Sequence, residues 1–111
     1  MAYNLELAER VRAEMQKTLG ASVEEKKMFG GIGFLLGGNM ACGVHGEGMI
    51  VRIGPERHAA ALARPHVRPF DLTGKPMAGW IVVEPAGIAA EADLKEWIAQ
   101  GVQFALSLPK K

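Results

Sequence analysis

Cys42 and His45 stand three residues apart, close enough to suggest a thiol nucleophile beside its general base. The surrounding pattern argues against that pairing. Met40, Cys42 and Val44 alternate with Ala41 and Gly43 as a β-strand does, and an odd separation on a strand sends two side chains to opposite faces. Cys42 is therefore expected to be a buried, inert thiol sharing a face with Met40 and Val44. His45, His58 and His66 occupy a turn, a helix and a loop, without the paired spacing of a helical zinc site, so no metal is expected. Gly31-Ile32-Gly33 followed by Gly37 has a superficial likeness to a dinucleotide-binding loop. Position 36 is Leu, however, and the segment leads into another strand with no crossover helix. These glycines read as turns and close backbone approaches, and no cofactor is expected.

What remains is electrostatic. Between Val51 and Pro76, Arg52, Arg57, Arg64, Arg68 and Lys75 face only Glu56 and Asp71, a local +3 that leaves −2 for the rest of a chain totalling +1. Arg52 projects from the face opposite Val51 and Ile53 and precedes the amide-rich start of a helix at Pro55, a corner suited to a phosphate or a partner's carboxylate. Arg52, Arg57, Arg64 and Arg68 form the candidate anion- or partner-binding surface. The competing structural reading pairs Arg52 and Arg68 with Asp71 or Glu84, fastening an irregular loop to the sheet. Along the sequence, aromatic residues do not interleave with these arginines as an RNA-stacking sheet requires. Nor does the overall charge reach the strongly basic balance of a protein that wraps nucleic acid.

Several elements must position these residues. Ala8, Val11, Met15 and Leu19 recur at steps of three and four, predicting an amphipathic helix over Leu5–Leu19 with Asn4 as N-cap and Gly20 as its stop. Apolar runs of period two at Ile32–Leu36, Met40–Val44 and Met49–Ile53, separated by Gly37-Gly38 and Gly46-Glu47-Gly48, predict an antiparallel meander. The face carrying Met40, Cys42, Val44, Met49, Val51 and Ile53 should meet the helices. Val23–Phe29, with Glu24-Glu25-Lys26-Lys27 at its centre, reads equally as an exposed edge strand or a solvated loop. Gly54-Pro55-Glu56 opens a short helix that closes before Pro65. His66–Ala78, rich in proline, should be irregular with a brief extended piece near Val67. Trp80–Val83 suits a strand at the sheet centre or one covered on both sides. The last helix carries Leu94, Trp97, Ile98, Val102, Ala105 and Leu108 on one stripe, and Gly101 within that stripe predicts a close approach to the sheet.

The 111 residues amount to one domain, 1–111, with enough length to bury a single core, and a hydrophobic share of 49% against 23% charged excludes intrinsic disorder. A single cysteine forbids an intrachain disulfide and favours a reducing, cytoplasmic setting. Charges interrupt the apolar residues of the first helix as no signal peptide allows, and no apolar run approaches the roughly 20 residues needed to span a bilayer. A soluble, unprocessed protein without membrane partners is expected.

Met28-Phe29-Gly30-Gly31, Ile50-Val51-Arg52-Ile53-Gly54, Pro65-His66-Val67-Arg68-Pro69-Phe70 and Gly79-Trp80, taken together and in this order, resemble the N-terminal domain of TfoX/Sxy proteins. The resemblance covers nearly the whole chain. It implies an α+β domain of the secretion-chaperone-like type, an antiparallel sheet packed by helices in the order α-β-β-β-α-β-β-α, and it supplies a strand near Val67. The best-known members of the family are bacterial positive regulators of natural competence thought to act with the cyclic-AMP receptor protein, and those regulators carry a second, helical C-terminal domain. This chain ends at Lys111 and is expected to be a stand-alone member. The resemblance brings no catalytic or ligand residues. The expected function is a non-enzymatic regulatory or adaptor module working through an unidentified protein partner, with transcription machinery the partner the resemblance implies. Weak nucleic-acid or anionic-ligand binding through the arginines is the alternative. Pairing of two copies through an exposed sheet face is a further expectation, because two-layer domains often cover apolar surface that way.

Overall fold

Asn4 begins the first helix as expected, its Oδ1 accepting from the Leu7 amide at 2.9 Å, which satisfies a donor the helix itself cannot. The computed structural model describes residues 3–19, 23–28, 30–70 and 78–109. Gly20, Phe29, Asp71 and Lys75 lie outside them, as does most of the stretch expected to be irregular. Helix α1 (Leu5–Leu19) buries Ala8, Val11 and Met15 of the stripe read from the sequence, and Leu7 beside them.

Four strands follow as a meander: β1 (Val23–Met28), β2 (Gly31–Leu36), β3 (Asn39–His45) and β4 (Gly48–Arg52). Gly37 and Gly38 hold φ of 57° and 83° between β2 and β3, a backbone that side chains with a Cβ rarely adopt and that a two-residue hairpin turn requires. The chain then passes through a 3₁₀ turn at Pro55–Arg57 into α2 (His58–Leu62), β5 (Val67–Pro69) and β6 (Trp80–Val83). A second 3₁₀ turn at Pro85–Gly87 leads to α3 (Glu91–Leu106). All neighbours in the sheet are antiparallel, in the order β1-β2-β3-β4-β6-β5. The α+β class is therefore as expected, with β1 as an additional leading strand. Its alternatives are resolved in favour of an edge strand in full register with β2, from Val23 opposite Leu36 to Met28 opposite Gly31. The charges of Glu24, Glu25, Lys26 and Lys27 are exposed there, where they discourage pairing with a foreign strand.

One sheet face meets α1 and α3. Phe34, Val44, Met49, Val51, Ile81 and Val83 pack there against Leu94, Trp97, Ile98, Val102 and Ala105. The opposite face carries a smaller cluster of Met40, Ile50, Phe70 and Val82, flanked by Leu35 and Trp80. Met40 thus departs from expectation. The β2–β3 register slips between Phe34 and Leu35, which pair with Cys42 and Met40, so Ala41 is an extra residue in β3. Such a bulge reverses the alternation before it and sends Met40 to the face away from Cys42. The bulge also receives α3. A Cβ added to Gly101 would come within 2.4 Å of the Ala41 carbonyl oxygen, so the close approach predicted for this glycine is present. Strand β6 is buried on both sides, Ile81 and Val83 toward the helices and Val82 away, as its unbroken apolar run requires.

Candidate functional site

The corner between β4 and α2 is organised around Gly79. Its carbonyl accepts from the amides of Ile53 at 2.8 Å and Gly54 at 3.1 Å, and its own N–H donates to Nδ1 of His58 at 3.0 Å. His58 therefore acts here as an acceptor that closes the corner, carrying its proton on the other ring nitrogen. Gly79 has φ of 87°, and an added Cβ would lie 3.0 Å from the Pro55 nitrogen. Both its conformation and its surroundings exclude a side chain. Gly54 has φ of 92° and sits so close to the Phe104 ring that a Cβ would approach it to 2.6 Å. The segments Ile50-Val51-Arg52-Ile53-Gly54 and Gly79-Trp80 thereby form one corner, with the end of α3 as its third wall.

Between these walls lies an open cleft of about 460 Å³, lined by Ile53, Pro55, Glu56, Arg57, Phe104 and Ser107 among others. Arg52 pairs across the sheet with Trp80. Its guanidinium carbon lies 5.1 Å from the Trp80 ring centroid and 5.4 Å from that of Phe104, within cation–π range of both. Arg57 donates to Oε1 of Gln103 at 3.0 Å across the mouth of the cleft.

The four arginines of the sequence-read surface do not act alike. Arg64 makes a two-pronged contact with Glu96, at 2.8 Å and 3.1 Å, and lies 4.1 Å from the Trp97 ring centroid. Arg68 pairs with Glu84, the pairing offered by the structural reading. Arg52 and Arg57 meet no carboxylate among the described residues; their neighbours are aromatic rings and a neutral amide. Glu96 and Glu84 lie outside the Val51–Pro76 window, so an excess of charge along the chain is partly cancelled in space. Sequence reading also missed Trp80, Gln103 and Phe104. Phe104 stood three residues beyond Gly101 and seven beyond Trp97, on the margin of the apolar stripe, which was the one available signal.

Cys42 is fully buried, its sulfur 3.5 Å from that of Met15, and burial pushes the thiol up to about 12. A thiol so raised stays protonated at neutral pH and is a poor nucleophile. Among the described residues no three histidine, cysteine or carboxylate side chains gather closely enough to hold a metal ion.

Comparison with curated proteins found no match, and neither did comparison with solved structures. A family model does match: residues 14–105 correspond to the TfoX N-terminal domain, a span running from the middle of α1 to the last turn of α3. Since this takes in the whole sheet, nearly all of α3 and the C-terminal part of α1, the chain belongs to the TfoX N-terminal domain family.

Proposed function

We propose that the chain is a non-enzymatic regulatory or adaptor module of the TfoX/Sxy type, which works in the cytoplasm by holding another protein, in the setting of transcriptional regulation. The observation that carries this reading is family membership over residues 14–105, in a family not known for enzymes. The buried, protonated state of Cys42 supports it, since the most nucleophilic side chain type in the sequence is withheld from any substrate. No helix among the described residues is long and apolar enough to cross a membrane, which suits a module acting in an aqueous compartment. Anion binding at the arginines is the second reading, favoured because Arg52 and Arg57 form no ion pair with a carboxylate among the described residues. It ranks lower because two of the four arginines it invokes already have internal partners.

Cross-linking in cells of the source organism, followed by denaturing purification of the tagged chain, tests the proposal. The expected result is one protein recovered in near-stoichiometric yield. Recovery of nucleic acid in its place, or of no cross-linked species, overturns it.

A further inference from the structure

We infer that the cleft between the Ile53–Arg57 corner and the end of α3 docks a linear, acidic segment of the partner protein, seating an apolar side chain against Phe104 and Ile53 and a carboxylate beside Arg57. This rests on the adaptor reading and adds the place and the chemistry of the contact.

Three observations select that occupant. At about 460 Å³ the cleft has the volume of a ligand site, but it is open along one side, whereas small-molecule sites enclose most of their ligand. A chain segment lying across the opening suits this shape, with one side chain inserted and its neighbours at the rim. The charge also selects: Arg57 is exposed and its only hydrogen-bond partner among the described residues is neutral, while Arg52, which meets no carboxylate among those residues, adds a second cation across the Phe104 ring. Glu56 lines the same cleft and repels a carboxylate placed against it, so the acidic group must be held by Arg57 itself. Finally, the receiving groups are already held. Arg52 lies between two rings, Arg57 is tied to Gln103, and Phe104 leans on a glycine that leaves room for it, so docking orders few side chains.

The same facts disfavour nucleic acid. Stacking of bases needs open ring faces, and Arg52 already covers a face of both Trp80 and Phe104.

A random library of short linear peptides displayed on phage, panned on the 111-residue chain, supplies the probe. Selected sequences should combine aspartate or glutamate with leucine, phenylalanine or tryptophan, and should shift the backbone amide resonances of Gly54, Arg57, Phe104 and Ser107. Arg57→Glu, on an exposed position that leaves the core intact, should weaken the selected peptides at least about tenfold, as removal of a central interface arginine does. A peptide with lysine in place of its acidic residue should recover binding to that variant and lose it to the parent chain. Circular dichroism of the variant checks that the fold is kept, and Arg57→Gln gives an intermediate loss if charge is the cause.

Selection of neutral or basic peptides, shifts confined to β1 or α1, no enrichment, or displacement of the peptide by equimolar duplex DNA or inorganic phosphate overturns the inference. Its failure is separable from failure of the adaptor reading. A cross-linked partner captured equally by the parent chain and by Arg57→Glu refutes this docking site while leaving the adaptor intact, whereas a parent chain that captures nothing refutes the adaptor.

Discussion

A single methyl group decides how α3 lies on the sheet. Added at Gly101 it would meet the Ala41 carbonyl oxygen at 2.4 Å, and backbone on both sides prevents a small local adjustment. Alanine favours a helix over glycine by about 1 kcal/mol, yet overpacking of this kind costs about 1–3 kcal/mol, so Gly101→Ala should destabilise the chain on balance. Urea unfolding checks the sign. Cys42 offers a second test. Its thiol, pushed up to about 12 by burial, should resist an aromatic disulfide reagent in the native chain at pH 8 and react at once in denaturant. Because the folded thiol titrates above the unfolded one, its contribution to stability is complete below the unfolded value of about 8.5. It is lost as pH rises from there through about 12. Burial of Cys42 was legible from strand parity. The position of Met40 was not, because a bulge leaves no mark in the alternation of a stretch as uniformly small and apolar as Met40-Ala41-Cys42-Gly43-Val44.

At the scale of elements, the helices are easier to read than the edges. The stripe of α3 announced its burial, and Trp97, 2% exposed at its centre, should cost about 3–5 kcal/mol when replaced by alanine, measured by thermal or urea unfolding. Strand β1 could not be read because Glu24-Glu25-Lys26-Lys27 contains no apolar alternation; it is a strand through pairing with β2, not through its own pattern. What ties α1 to that edge is ionic. Arg12 donates to both carboxylate oxygens of Glu25, at 2.6 Å and 2.8 Å, and also meets Glu9. The hydrogen bonds from Arg12, more than its charge, hold the Glu25 carboxyl below its usual range, while the same contact raises the guanidinium. A lowered carboxyl contributes stability above its unfolded value, about 4.3, and loses that contribution as pH falls through the lower folded value. Solvent screens a pair this close to the surface, so Glu25→Gln should cost about 0.5–1 kcal/mol at pH 7. The difference between variant and parent should close as pH drops below the carboxylate range. Unfolding curves at pH 7 and in acid show whether it does.

Across the whole molecule, the candidate site was half legible. Its cations were visible in the sequence, but the carboxylates that silence two of them come from the end of β6 and from α3, and the rings that hold Arg52 come from positions 28 and 52 residues further along the chain. Tertiary structure alone brings those groups together. With Arg64 and Arg68 internally neutralised, duplex DNA should bind weakly, with a log–log salt slope no steeper than about −2, the value for two phosphates. Fluorescence anisotropy across a salt series measures it, and a slope near the value for four phosphates, about −4, would mean that the internal pairs open. The cleft's walls are residues 53–57, braced by Gly79, and residues of the 103–107 stretch at the end of α3, so a cut between α2 and α3 leaves neither piece with both walls. Occupancy must then act as a staple across the fold: whatever fills the cleft should raise the melting temperature of the whole chain, and a chain severed between α2 and α3 should bind only after its two pieces have reassembled.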